Sequence, residues 1–269
     1  SSAAEVNKHL WWDPAPSKED FLQTFAARIA GKEAGPHVRK AWSYASEGLD
    51  FSPEIGSYYQ GTHYLGPMHP MVVDAKAEMP AIFYGYYLFY AELTAADAFK
   101  GRPTFHTSPS GNRPVFERFY RNMEDRLQHA AAEMNLASQR VPERNRLMFG
   151  AENSSIQWYY RTARTSANFY ASCRLRDQFS AWESKLPLDD STAKEARTAY
   201  REWCKVLIDE QANAKAALPI MLADARLDPY HRGDHSLSRG EDMLREKLRL
   251  IDHEINVVLP ELAKRLNLE

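Results

Sequence analysis

Four segments, about 115–138, 143–183, 191–223 and 239–266, repeat their apolar residues at the three-to-four spacing of a helix, and only short breaks separate them. The breaks read "RVPE", "LPLDDS" and "LDPYHRGDHSLSRG". In the last segment Leu244, Leu248, Ile251, Ile255, Val258, Leu259 and Leu262 keep the period, and in the longest Leu147, Trp158, Phe169, Cys173 and Phe179 are the larger apolar positions. Alternating strand patterns are nearly absent. A helix of about 40 residues would run ~60 Å, and short connections between long helices make antiparallel neighbours. The expected fold is all-α. It consists of an elongated antiparallel bundle of long helices over 114–269, preceded by a helical cap with long ordered loops over 1–113. One continuous domain would accommodate the same pattern.

The cap is less regular. "SKED" at 17–20 offers Ser17 as N-cap with an acid three positions on. Phe21, Leu22, Phe25 and Ile29 then form a stripe, and Gly31 closes the helix. Pro36 suits the first turn of a second helix, which has Val38, Trp42 and Ala45 on its inner face and reaches about Leu49. From 50 to 74 the period is lost among Pro53, Gly56, Gly61, Gly66, Pro67 and Pro70. Loops this long are functional or disordered, and the aromatics here argue for order. A third helix is expected over roughly 77–99, before a turn-rich loop at 100–114.

Composition narrows the partners. The 34 Lys and Arg nearly balance 36 Asp and Glu, so the basic face that binds nucleic acid is not expected. No apolar run reaches the ~18 residues of a membrane span; the densest, "AIFYGYYLFYAEL" at 81–93, is shorter and rich in tyrosine hydroxyls. Cys173 and Cys204 lack metal-type spacing and read as small core residues, or as a bridge between neighbouring helices. Ser1 reads as a processed or artificial start, with no signal peptide and no compartment assigned.

The stretch "SYYQGTHYLGPMHPM", 57–71, holds the candidate contact residues Tyr58, Tyr59, His63, Tyr64 and His69. Tyrosine rings are amphipathic and stack on sugars or other flat ligands; the same rings would equally pack the loop onto helices. His63 and His69 offer metal ligands or proton-transfer groups, but they lie six apart with no third ligand in register, and loop stabilisation is expected instead. His231 and His235 have an i, i+4 spacing near Asp224, Asp228 and Asp234, but Pro229 and Gly233 break the helix that the spacing would need. Capping and ion pairing across that turn are expected instead, with Ser236 or Ser238 capping the last helix. Glu47, Glu54, Glu78 and Glu92 lie in or beside the aromatic region, and paired carboxylates serve glycosidases. Arg39, Arg102 and Arg113 offer bidentate carboxylate grips. Both sets also suit a solvated surface. No GxSxG, Walker loop, HExxH, dinucleotide fingerprint or pair of ExxH motifs occurs. No catalytic residue, metal or cofactor is expected.

Several motifs occur in a suggestive order. "WWDPAPSKEDFLQTFAARIAGKEAGPHVRKAW" (11–42) resembles the segment that follows the catalytic barrel in large bacterial glycoside hydrolases, alpha-glucuronidase-like ones among them. "YLGPMHP" (64–70) is similar to the loop that comes next there, and "NFYASCRLRDQF", "DEQANAKAALPIMLADARLD" and "MLREKLRLIDHEI" resemble the later helices. W-D-P followed by D-x-R-L is the most specific part. The resemblance implies a helical domain that packs beside a barrel and adds a loop to its glycan cleft. It carries over no catalytic residue, because the family's carboxylates belong to the barrel and this chain has no barrel strands. The expected partners are therefore a catalytic barrel domain or chain and a glycan. A free-standing helical binding or interaction module is the alternative.

Overall fold

The computed structural model describes residues 17–52, 62, 65–74, 77, 80–83, 113–228 and 239–268. Among them there is no strand, and the chain is an all-α bundle. Helix α1 spans Lys18–Ala30 and α2 Gly35–Leu49. The long helices follow: α3 Arg113–Ser138, α4 Arg146–Glu183, α5 Asp190–Ala223 and α6 Gly240–His253. A π turn, Glu254–Val258, joins α6 to the short α7, Leu259–Arg265. Of the helix expected over 77–99, the described part is a 3-10 turn at Ala81–Phe83; the rest lies outside the described residues.

Local chemistry sets the ends of α1. The Ser17 hydroxyl accepts the Asp20 N–H at 3.1 Å and itself donates to the Asp20 carboxylate at 2.6 Å. Gly31 takes φ +87°, a backbone shape closed to most L-residues, and its N–H returns to the Ala27 carbonyl at 2.8 Å. Replacing Ser17 by alanine should cost about 1 kcal/mol, the usual worth of an N-cap, read as a lower denaturation midpoint with an unchanged denaturant slope.

Each long helix packs on its sequence neighbour. The connections 139–145 and 184–189 are short, so these neighbours run antiparallel. Two hydrophobic clusters result. The smaller seats Ala26, Ile29, Val38 and Ala41 of the first two helices against Met134 and Ala137 of α3 and Phe149 and Ile156 of α4. The larger is centred on Trp203, Phe179, Leu175, Met123 and Tyr120, all at most 1% exposed, and runs on through α6 and α7. The Trp203 indole donates to Ser172 Oγ at 2.8 Å and tilts against the Phe179 ring at 5.2 Å. Cys173 is buried and Cys204 half-buried, and both are free thiols.

Helix α4 lies at the centre. From Thr162 to Cys173 it is buried on nearly every side, and small residues dominate there: Ala163, Thr165, Ser166, Ala167, Asn168, Ala171 and Ser172. Small side chains let helices approach closely, while the hydroxyls and amide among them need partners inside the protein. Those partners come mainly from α5, with Arg121 of α3 on Asn168 and carbonyls of α4 itself on Thr162 and Ser166. By contrast Leu147, expected among its inner apolar positions, is 88% exposed, and Phe149 turns inward instead.

Candidate functional site

The stretch singled out in the sequence is anchored at its C-terminal end. Residues 65–74 form a strap of which the described part is almost wholly buried: Leu65, Met68, His69, Met71, Val72 and Val73 are each at most 5% exposed. A 3-10 turn, Gly66–Met68, packs on α4, α5 and α6. Gly66 has φ +57°, and a Cβ there would stand 2.7 Å from Thr162 Oγ1. Gly66→Ala should therefore destabilise by about 1–2 kcal/mol through the left-handed backbone alone, with the clash adding to it. Chemical denaturation of the variant would show this.

Two charged side chains pin the strap from opposite ends. Lys247, on α6 and wholly buried, donates from Nζ to the Pro67 carbonyl at 2.7 Å and forms an ion pair with Glu210 of α5, which is also wholly buried. Glu210 is further held by Thr165 Oγ1 at 2.6 Å and Asn168 Nδ2 at 2.9 Å, both from α4. Asn213 completes the group, donating to Thr165 Oγ1 at 3.0 Å. Burial pushes the Lys247 ammonium below its ordinary pKa, against the pull of Glu210. A second, half-exposed layer flanks this centre. There Asp209 receives Arg164 Nε at 2.8 Å and Asn168 Nδ2 at 2.8 Å, and the Asn168 carbonyl accepts Arg121 at 2.8 Å. Every helix from α3 to α6 thus reaches the same polar centre.

The other pin is Glu254, the first residue of the π turn. One carboxylate oxygen accepts the Val73 N–H at 2.8 Å. Burial raises its pKa to about 7, with Asp74 adding to the shift and the Val73 bond opposing it. Glu254 also lines a cleft of about 720 Å³ between the strap, the C-terminal end of α4, Trp203 of α5, and the α6–α7 region. Arg176, Ser180 and Glu183 come from α4, Asp74 from the strap, and Arg249, His253, Glu261 and Arg265 from the last two helices. Glu183 and Arg265 meet across it at 3.0 Å.

Of the expected contact residues, only His69 falls among those described. It is fully buried, its ring set nearly perpendicular to that of Phe169 with the centroids 4.7 Å apart, so it packs inside the bundle. Tyr58, Tyr59, His63 and Tyr64 lie outside the described residues, as do Glu54, Glu78, Glu92, Arg102, His231 and His235. Glu47 is exposed, near Arg126 at 3.8 Å. Arg39 does grip a carboxylate with two nitrogens, but it is that of Glu19, at 3.1 and 2.7 Å. The buried Arg113 bonds Asp177 and the Cys173 carbonyl. Asp224 accepts from Arg226 at 2.8 Å, and Asp228 accepts the Gly240 N–H at 3.4 Å. Among the described residues, no three His, Cys, Asp or Glu side chains are grouped to hold a metal ion, and no helix is long and apolar enough to cross a membrane.

The residues that build this site, Glu210, Lys247 and Glu254, were not singled out in the sequence. A signal was available. Along α5 the buried positions run Trp203, Val206, Leu207, Glu210, Asn213, Ala214, Ala217, and along α6 they run Met243, Leu244, Lys247, Leu250, Ile251, Glu254. Each charged residue occupies an inward register position of its apolar stripe.

No protein-family model matches this chain, and no curated protein or solved structure matches it.

Proposed function

We propose that the chain is a non-catalytic helical accessory domain of a carbohydrate-active enzyme, buttressing a catalytic barrel and anchoring the 57–71 stretch by its buried end, 65–71, so that Tyr58, Tyr59, His63 and Tyr64 contact a glycan. The clamp on residues 65–74 carries this reading. A bundle that buries an ion pair and a carboxyl to fix one short segment behaves as a mount, because buried charges are retained only where geometry gives them partners. The order of W-D-P, G-P-M-H-P and D-x-R-L supplies the enzyme class. The test is the intact mass of the natural gene product. The reading expects a mass well above 30.8 kDa, with the excess before Ser1 folding as a barrel. A product of 30.8 kDa with no barrel in any partner chain would overturn it.

The second reading is a free-standing helical binding or protein-interaction module. It is favoured by the Glu254 cleft, which this chain's own residues enclose. A tight protein partner, with no small-molecule ligand, would select the interaction form of that reading.

A further inference from the structure

The cleft beside Glu254 has the size of a small-molecule site, since its volume of about 720 Å³ falls inside the ~300–1,000 Å³ typical of such pockets. Two observations set it apart from a packing gap. The first is the state of Glu254. The residue is 3% exposed, and one oxygen takes the Val73 N–H. Among the described residues the second oxygen has no hydrogen-bond partner, yet it is not sealed off from solvent-sized space, and the side chain lines the cleft. Facing the cleft, that oxygen is open to water and equally to a ligand hydroxyl. The second observation is the π turn itself, which begins at Glu254. Single π turns inside α-helices occur often at functional sites.

The lining also selects a kind of ligand. When Glu254 is protonated, as burial favours, Asp74, Glu183 and Glu261 face Arg176, Arg249 and Arg265. Three negative groups stand against three positive ones, with His253 also on the wall, so the lining offers donors and acceptors and no strong field of one sign. Half-buried Ala77 and Val258 add apolar surface to the lining. Such a mixture suits a molecule with hydroxyls around its edge and C–H groups on its faces.

We propose that this cleft binds a neutral polyhydroxylated small molecule, a sugar or cyclic polyol, with one ligand hydroxyl bonded to the second oxygen of Glu254. The cleft is lined by this chain alone, so the proposal stands or falls separately from the accessory-domain reading.

The test is calorimetric titration of the full chain at mildly acidic pH with D-glucose, D-xylose and myo-inositol, set against D-glucuronate and D-glucosamine. At least one neutral ligand should bind saturably with a Kd of about 1 mM or below, at least about tenfold tighter than either charged sugar. Ser180→Trp, at the exposed rim of the cleft, should fill the mouth and weaken binding at least about tenfold while helical circular dichroism is retained. Glu254→Met, which keeps the volume and removes both oxygens, should weaken binding at least about tenfold in a protein of unchanged helical circular dichroism, and parent-like binding there would overturn the proposal. Saturable binding of none of the three neutral ligands would overturn the proposal. So would unchanged binding in a folded Ser180→Trp protein, or preference for a charged sugar.

Discussion

Lys247→Met should destabilise the protein by about 3–5 kcal/mol, the usual consequence of removing one partner of a buried ion pair. The substitution keeps the volume and the aliphatic stem, so packing loss is small and the effect isolates the charge. Glu210 would remain wholly buried, with only Thr165 and Asn168 to hold it. The Pro67 carbonyl would lose its donor as well. Such a loss is a large part of the ~5–15 kcal/mol that holds most domains folded. The double variant Lys247→Met, Glu210→Gln removes both charges and should recover a substantial share. Chemical denaturation of the parent, both single variants and the double variant measures the coupling directly. If the two single losses simply added, the pair would not be the organising contact described above.

Glu254→Gln should do the opposite, stabilising the protein above neutrality. The carboxyl has a pKa of about 7 in the folded chain against an ordinary value of 4.5. Below pH 4.5 both states carry the proton and nothing is lost. Between 4.5 and about 7 the unfolded chain releases its proton while the folded one retains it, so stability falls as pH rises. Above about 7 the folded protein carries a buried carboxylate and the loss is complete. At ~1.4 kcal/mol per pH unit, the loss is about 3–4 kcal/mol. Glutamine can still accept the Val73 N–H and never ionises. The parent and variant should match near pH 4.5 and diverge by that amount near pH 8, in melting curves recorded across the range. Parallel curves would mean that Glu254 is not buried as a neutral acid.

Much of the fold was legible because its signals are local. Ser17, Gly31 and Pro36 mark ends that the backbone cannot place elsewhere, and the stripes of α3 to α6 follow from the period of the helix. The π turn was not legible: Ile251, Ile255, Val258 and Leu259 keep an apparently regular spacing through it, although Ile255 and Val258 are only half-buried and Glu254 takes the inward position. The site was hidden for a related reason. Thr165, Ser166 and Asn168 resemble a solvated face until the helices that cover them are known, and a lysine or glutamate is ordinarily a surface residue. In the aromatic loop, by contrast, chemistry is conspicuous in composition. His69 shows the limit of that signal: its place is inside, against Phe169.

The contact between Lys247 and Glu210 also bears on alignment. Alanine- and leucine-rich helices can slide past one another by a turn, ~5.4 Å, and find nearly equivalent apolar packing. Here such a slip would part the ammonium from the carboxylate and strand both in the interior, away from Pro67, Thr165 and Asn168. The pair thus works as an index mark, and one alignment of α4, α5 and α6 is distinguished from its near neighbours by charge where hydrophobicity alone would leave them degenerate.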